Sequence, residues 1–555
     1  MSYLKRQSKR RAPQSAPIPG SAQVRNSTGG FAWAVDDWTR LRRFLVLGSE
    51  GGSYYAGEWK LTRENAAAVE RCVAADGART VAEIVSVSEA GRAPKNDPAI
   101  FALALVAGAN DEAARKAALE ALPRVCRTAT HLFQFASFVE GFRGWGRSLR
   151  RAVGGWYARL SPDQLAYQAV KYRQRDGMTH RDVLRLSHPA ESVSAGNPTL
   201  ELTGEHRRLF EWIARGGSVE GLPRIVEGFM LVQSAKTPAR AAALVREYRL
   251  PREAVPTELL SSAEVWEALL DDMPMTAMVR NLATMTRVGV LTPRSAGTAK
   301  VVAQLGDGER LHKARVHPIA VLAALRTYES GRGVRGKHSW TPVVQVVDAL
   351  DAAFYAAFEN VEPSDTRLLL ALDVSGSMTG GFVGGVPNLS PRHASAALAL
   401  VTAATEPRYE TVGFYAGKQG WKSGLRSRFA GHIDGLTPLQ ISPRQRLDDA
   451  VRTVSGLPFG GTDCALPMLY ALDREREVDT FVIYTDSETW AGGIHPAQAL
   501  ADYRRESGID ARLIVVGMVS NGFSIADPND PGMLDVVGFD TATPQLVSDF
   551  ARGAL

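Results

Sequence analysis

Leu368-Leu-Leu-Ala-Leu-Asp-Val-Ser-Gly-Ser-Met378 is an apolar run that ends in small polar residues. An unbroken run of this kind, bounded by glycine, predicts a strand buried in a parallel sheet. At its carboxyl end it delivers Asp373, Ser375 and Ser377, three oxygen-bearing side chains at i, i+2 and i+4. Alternate residues of an extended segment point the same way, so one small loop can aim all three at a common point. Hard oxygens around a point suit Mg²⁺ better than Zn²⁺, which prefers His and Cys.

Two later stretches complete the pattern. Phe459-Gly-Gly-Thr-Asp463 is a glycine turn opening a helical run, and it presents the Thr462 hydroxyl. Phe481-Val-Ile-Tyr-Thr-Asp486-Ser487 is a second buried strand ending in an acid. Ligands of open α/β sheets collect outside the carboxyl ends of the strands, where all three pieces meet. In order and spacing they resemble the von Willebrand factor A domain and its metal-ion-dependent adhesion site. The matched residues are Asp373, Ser375, Ser377, Thr462 and Asp486. The cofactor expected is a divalent cation, Mg²⁺ by donor chemistry.

At 555 residues the chain is too long for one ordinary core, and its length suggests about two to four domains. Apolar content of 45% and charged content of 22% are those of a globular protein. No uninterrupted apolar run reaches the roughly 18 residues needed to span a membrane. Cys72, Cys126 and Cys464 are odd in number and far apart, which excludes a disulfide framework and makes the cytoplasm the expected compartment. Cys464 reads as a small residue filling a first helical turn, since no His stands close in sequence to activate it.

Net charge is +6, unevenly shared. From residue 366 onward, 16 Lys and Arg face 21 Asp and Glu, a net of −5, which leaves +11 for residues 1–365. The tail, 1–26, supplies +6 of this, lacks the apolar centre of a signal peptide and is predicted to be disordered. A basic front half calls for a polyanion, and an acidic back half with a metal site calls for something else.

From about Thr28 to Pro363 the pattern is helical. Stretches such as Pro98–Val106, Glu112–Leu122 and Ala239–Tyr248 carry apolar residues at i, i+3, i+4 and i+7. Short helices in succession predict stacked helix pairs forming a curved array. Within it, residues 115–188 hold 14 Lys and Arg against 5 Asp and Glu. The i, i+4, i+7, i+8 spacing of Arg143, Arg147, Arg150 and Arg151 predicts one helical face, with Trp145 and Trp156 on the other. Lys171 and Arg175 are likewise predicted to share a face, and Thr179 to cap a helix running to His188. Like charges stacked at i, i+4 repel, so a helix that accepts them repeatedly has an anion to neutralise. Interleaved Tyr, Trp and His favour unpaired RNA bases over duplex DNA.

Residues 359–367 form the seam. Beyond it, strands are predicted at 368–374, 410–416, 479–485 and 511–517. Helices are predicted near 391–405, 444–455, 463–473 and 496–507. This alternation means βαβ units in a doubly wound sheet. The division is thus 1–26, 27–365 and 366–555, a multidomain α plus α/β chain.

Further stretches carry a second resemblance: Arg43–Tyr55, Thr130-His-Leu-Phe133, Trp145–Ala152, Lys171–His188, Arg315-Val-His-Pro318, Arg332–Gly336 and Ala352-Ala-Phe-Tyr355. With the metal-site pieces, they resemble the TROVE family over residues 28–555. The resemblance implies a ring of HEAT-like helical repeats closed by a von Willebrand factor A domain. It implies that Y-like RNA binds the outer basic surface while the single-stranded end of a misfolded noncoding RNA enters the central hole. Carried over by motif, Lys171, Arg175 and His188 are expected Y-RNA contacts. Arg143, Arg147 and Arg150, with His131 of the Thr130–Phe133 stretch, complete the RNA-binding candidates. The bacterial members further imply presentation of RNA to an exoribonuclease such as polynucleotide phosphorylase, in RNA quality control or maturation under stress. A monomer is expected. The glycine-rich loop 379–388 departs from the family pattern.

Two other function classes bear on the same residues. A metal-dependent phosphatase or nuclease needs a second carboxylate where Ser375 stands, and no two-metal carboxylate cluster is evident. Gly413-Phe-Tyr-Ala-Gly-Lys418-Gln is too short for a P-loop and lacks its Ser/Thr. A protein-adhesion module, in which a partner's carboxylate completes the metal's ligands, is compatible with RNA binding elsewhere. The expectation is therefore a non-enzymatic RNA scaffold.

Overall fold

The computed structural model describes residues 11–47, 66–93, 95–175, 177–189, 202–314, 316–333, 338–357, 361–380, 383, 389–416, 435–443, 445–457, 460–518, 522–537 and 543–554. Residues 48–55 of the Arg43–Tyr55 stretch, most of the glycine-rich loop, Lys418 and Phe459 lie outside these.

The helical part is built from short helices, many opened by a side chain that accepts a backbone N–H. Asp111, Thr128, Ser161, Thr179, Thr203, Thr237, Ser295 and Asp307 all cap helices in this way. The helix Asp97–Gly108 is buried on every side through most of its length and packs against Ala67–Ala90, Glu112–Val125 and Ala129–Phe142. A helix apolar all round belongs at the centre of its layer. One hydrophobic core joins these first helices, and a second runs unbroken from the later helices into the carboxyl-terminal sheet. The helix Val344–Ala356 is the bridge: Val346, Leu350, Ala353 and Phe354 belong to this second core. Arg446 pairs with its Asp348 at 2.7 Å, and Tyr355 donates to the Gln445 carbonyl.

Strands β1 (Gln23–Arg25) and β2 (Phe31–Ala34) come from the amino terminus, and β3 (Gln174–Arg175) and β4 (Met178–Thr179) form a small hairpin. The carboxyl-terminal strands are β5 (Leu368–Asp373), β6 (Tyr409–Phe414), β7 (Leu436–Leu439), β8 (Thr480–Thr485), β9 (Arg512–Gly517), β10 (Phe523–Ser524) and β11 (Met533–Val537). Six of them form one sheet in the order β11-β9-β8-β5-β6-β7, parallel except for β7. Helices Pro391–Thr405, Leu447–Ser455, Leu466–Asp473 and Pro496–Ser507 alternate with the strands. The four predicted strands and four predicted helices are all present.

The chain closes on its own beginning. β2 pairs with β10, so the amino terminus adds to the carboxyl-terminal domain. Beside this pairing the buried Arg43 guanidinium meets Asp535 at 2.7 Å and donates to the Phe523 carbonyl. Far along the helical array, the His317 ring contacts the Arg92 carbonyl at 3.0 Å. The expected array closed by a von Willebrand factor A domain is therefore observed. Residues 11–26 correct the expectation of a disordered tail: Ala12, Gln14 and Asn26 are buried against that domain. Low hydrophobicity suggested disorder there, but polar side chains rather than apolar ones hold this segment down.

His180 shows how the helical layers interlock. It lies buried between helices, its Nδ1 at 3.0 Å from the Tyr157 hydroxyl and its Nε2 at 3.2 Å from the Gln168 carbonyl. One nitrogen must accept and the other donate, which fixes the neutral tautomer. Burial depresses its pKa from 6.5 to about 4. The unfolded imidazole takes its proton near pH 6.5 and the folded one only near 4, so stability is present above 6.5 and is lost as pH falls through 4. The expected loss by pH 5 is about 2 kcal/mol. Thermal melts should therefore shift downward between pH 7 and 5, and less so for His180→Gln. A pH dependence that is the same in both proteins would contradict this.

Candidate functional site

β5 lies between β6 and β8, so connections leave it in opposite directions and a crevice opens at the carboxyl ends of β5 and β8. The loop after β5 folds back on itself. The Ser375 N–H donates to Asp373 Oδ1 at 2.8 Å, and the Ser375 and Ser377 hydroxyls are 3.0 Å apart. Asp486 follows β8, accepts the Glu488 N–H at 3.0 Å and is hydrogen-bonded by Ser377. The Gly376 N–H donates to the Gly460 carbonyl, which lays the 460–462 turn alongside. Thr462 is buried there, its carbonyl accepting from the Trp490 and Ala491 N–H groups.

Asp373 and Asp486 are both buried. Burial raises both pKa values, and the neighbouring Asp486 charge lifts Asp373 further, to about 7. Two buried carboxylates facing each other, with serine hydroxyls between them, form an acceptor-rich cradle. Its donor set of carboxylate and hydroxyl oxygens fits a hard divalent cation such as Mg²⁺. Asp373, Ser375, Ser377, Thr462 and Asp486 are the residues that would hold it.

Supporting residues went unread in the sequence. Thr485 donates to Asp373 Oδ2 at 2.6 Å, orienting that carboxylate. Arg392 is buried and donates to the carbonyls of Val374 and Ser375, fixing the loop backbone. A signal existed: an arginine in the first turn opposes the helix dipole and needs another purpose. Gln14, from the amino-terminal segment, reaches Asp463 at 2.7 Å. Burial raises the Asp463 pKa to about 6.

The basic candidates lie elsewhere, on the helical part. Arg147, Arg150 and Arg151 are exposed on the helix Arg147–Ala158, whose other side buries Trp156, its indole donating to the Cys126 carbonyl. Arg143 is not on that helix: it caps the preceding one, Ala129–Phe142, and donates to the Ala109 carbonyl. The break falls at Gly144, whose φ of 81° no helix continues. Lys171 and Arg175 likewise do not share a helix, because the helix Pro162–Lys171 ends and β3 begins. Lys171 is half-buried, its ammonium 2.9 Å from the Tyr167 hydroxyl and stacked near the Tyr167 and Tyr172 rings. It lines a cleft of about 530 Å³ together with Tyr167, Arg224, Tyr248, Arg249 and Arg252. Thr179 caps the helix His180–Ser187 with a capping box, and the exposed His188 ends it in a left-handed turn. His131 is half-buried, with its pKa lowered to about 4 by burial and its Nδ1 without a hydrogen-bond partner.

Residues 24–214 and 249–366 match the TROVE domain, and residues 367–551 match the Ro60 vWA domain. The chain belongs to the Ro60 family. Among its relatives, RNA-binding protein RO60 of Deinococcus radiodurans is 45% identical, the match covering 96% of each chain. RNA-binding protein RO60 of Caenorhabditis elegans is 35% identical over 98% of this chain and 92% of that one. The crystal structure of Deinococcus radiodurans RO (RSR) protein superposes with a TM-score of 0.70 at 44% identity, covering 94% of this chain and all of that one. The TROVE resemblance read from the sequence is thereby established.

In EDTA, Asp486→Asn is expected to melt at or above the wild type, because it removes one of two facing buried carboxylates. With Mg²⁺ in excess the order should reverse, the wild type gaining stability and the variant not. A variant that is equally stabilised by Mg²⁺ would show that the cation sits elsewhere.

Proposed function

We propose that this chain is an RNA-binding scaffold rather than an enzyme. Its ligands would be a Y-like small noncoding RNA and the single-stranded ends of misfolded noncoding RNA. The observation that carries the reading is the state of the cations. Among the described residues, Arg147, Arg150, Arg151, Arg181 and Arg185 are exposed and have no carboxylate within ion-pair reach, whereas Lys116 and Arg124 nearby pair with Glu120 and Glu89. Unpaired guanidinium groups on neighbouring helices suit a phosphate backbone, each able to give two parallel hydrogen bonds to phosphate oxygens. Lys171 adds a point charge beside two tyrosine rings on which an unpaired base can stack. The names of the Deinococcus and Caenorhabditis relatives support the same ligand class.

The carboxyl-terminal domain would take a divalent cation and, through it, a carboxylate of a partner protein. A cation held this way docks: among the described residues no further cluster of acidic or histidine ligands stands near to assist hydrolysis. An exoribonuclease such as polynucleotide phosphorylase is the partner class this division suits, with the helical part holding RNA and the other domain holding the enzyme. A monomer working in the cytoplasm completes the proposal. Among the described residues no helix is long and apolar enough to cross a membrane.

Lys171→Ala with Arg175→Ala is expected to weaken binding of a Y-type RNA by roughly 2–4 kcal/mol, at about 1–2 per charged contact. Gel shifts at physiological salt measure this, and wild-type affinity would remove these two residues from the interface. In the same tubes, labelled RNA with Mg²⁺ should stay intact. Shortened products from pure protein would favour the nuclease reading instead.

A further inference from the structure

The metal cradle is fastened to the opposite end of the chain. Gln14 is fully buried, and all of its carboxamide is used on the domain that starts some 350 residues later. Its Nε2 donates to Asp463 Oδ1 at 2.7 Å and to the Ile494 carbonyl at 2.9 Å. Its Oε1 accepts from the Thr489 hydroxyl and from the Gly492 N–H. Further along the same segment, Asn26 donates to the Thr489 carbonyl and the Thr28 N–H to Glu488. The loop 486–495, which begins with Asp486, is thus held at several points by residues 14–28.

From Gln14 a continuous path of contacts reaches the cradle. The Thr489 hydroxyl, its proton committed to Gln14, accepts the Cys464 N–H at 3.2 Å. The Cys464 thiol lies 3.7 Å from the Thr485 hydroxyl, and Thr485 donates to Asp373 Oδ2. The bond directions are set locally, since the Cys464 N–H can only donate and Thr485 gives its proton to Asp373, so what the path transmits from Gln14 is position. The approach is also shaped for this contact. A Cβ on Gly492 would lie 2.3 Å from both Gln14 Nε2 and Asp463 Oδ1, and one on Gly30 would lie 1.9 Å from the Thr489 carbonyl oxygen. Two glycines therefore stand where any side chain would hold the segment off.

We infer that Gln14 is a positioning residue for the cation site, and that cation binding and docking of the 11–34 segment strengthen each other. The inference rests on the reading of Asp373, Ser375, Ser377, Thr462 and Asp486 as a cation site. By linkage, whatever the docked segment adds to cation affinity, the cation returns to the docking equilibrium. Because β2 of this segment pairs with β10, cation occupancy would also tighten closure of the whole chain.

Calorimetric titration with Mg²⁺ and hydrogen exchange, both on the full chain, test this. Gln14→Ala is expected to weaken Mg²⁺ binding roughly tenfold, the size of effect outer-sphere substitutions have elsewhere. In the wild type, which needs no substitution to fold, Mg²⁺ should slow exchange across residues 14–34, and Asp373→Ala should abolish that slowing. Mg²⁺ bound by the wild type and Gln14→Ala with equal affinity, and without protection of residues 14–34, would overturn the coupling while leaving the cation site in place. A wild type that binds no Mg²⁺ would overturn the underlying site reading itself.

Discussion

An exposed arginine with no carboxylate in reach keeps its charge for something outside the protein. Arginines of both kinds occur in this chain. In the carboxyl-terminal domain Arg367, Arg446, Arg452, Arg504, Arg505 and Arg552 each have an acidic partner. On the helical part Arg147, Arg150, Arg151, Arg181 and Arg185 have none among the described residues. Elsewhere on the helical part Arg42, Arg71, Arg124 and Arg246 are paired, so acids are withheld only locally, from two neighbouring helices, which leaves a cationic surface that costs self-repulsion until an anion arrives. Exposed ion pairs add little stability, so nothing in the fold demands that these arginines be neutralised.

What was legible in the sequence follows from burial. β5, β8 and β9 are buried nearly throughout and read as unbroken apolar runs. The edges did not show: β7 carries Pro438, tolerated at an edge, and β11 carries Asp535 in mid-strand. Asp535 is satisfied by Arg43 and by the Ser524 hydroxyl, and Arg43 and Asp535 are separated by almost the whole chain. Helical spacing misled where a break intervened. Arg143 and Arg147 straddle Gly144-Trp145-Gly146, and Lys171 and Arg175 are separated by a helix end. The Asp176-Gly177 pair was a readable hairpin signal between them and Thr179.

Of the proposed cation site, the candidate ligands could be picked out in the sequence and their supporting residues could not. Asp373, Ser375 and Ser377 follow a strand at alternate positions, and that periodicity is local. Gln14 and Arg392 act through contacts with residues distant in sequence that only the fold brings together, and of the two only Arg392, by its place in a first helical turn, left a trace in the sequence. Gln14 in particular sat in a stretch of Pro, Ser and Gln whose composition argues for disorder. A polar segment can still be ordered when its few side chains are fully used as hydrogen-bond partners, as here.

The closure of the chain and the division of its charge are two aspects of one arrangement. The carboxyl-terminal domain is locked to both ends of the helical part, through β2 and through the helix Val344–Ala356, and so holds the basic helices in one fixed layout. The most direct measure of what those helices do is the salt dependence of RNA affinity. With about five unpaired cations each displacing a counterion, the logarithm of the association constant should fall against the logarithm of salt with a slope of roughly −4. A slope near zero, with binding retained, would mean that the unpaired arginines do not meet phosphate.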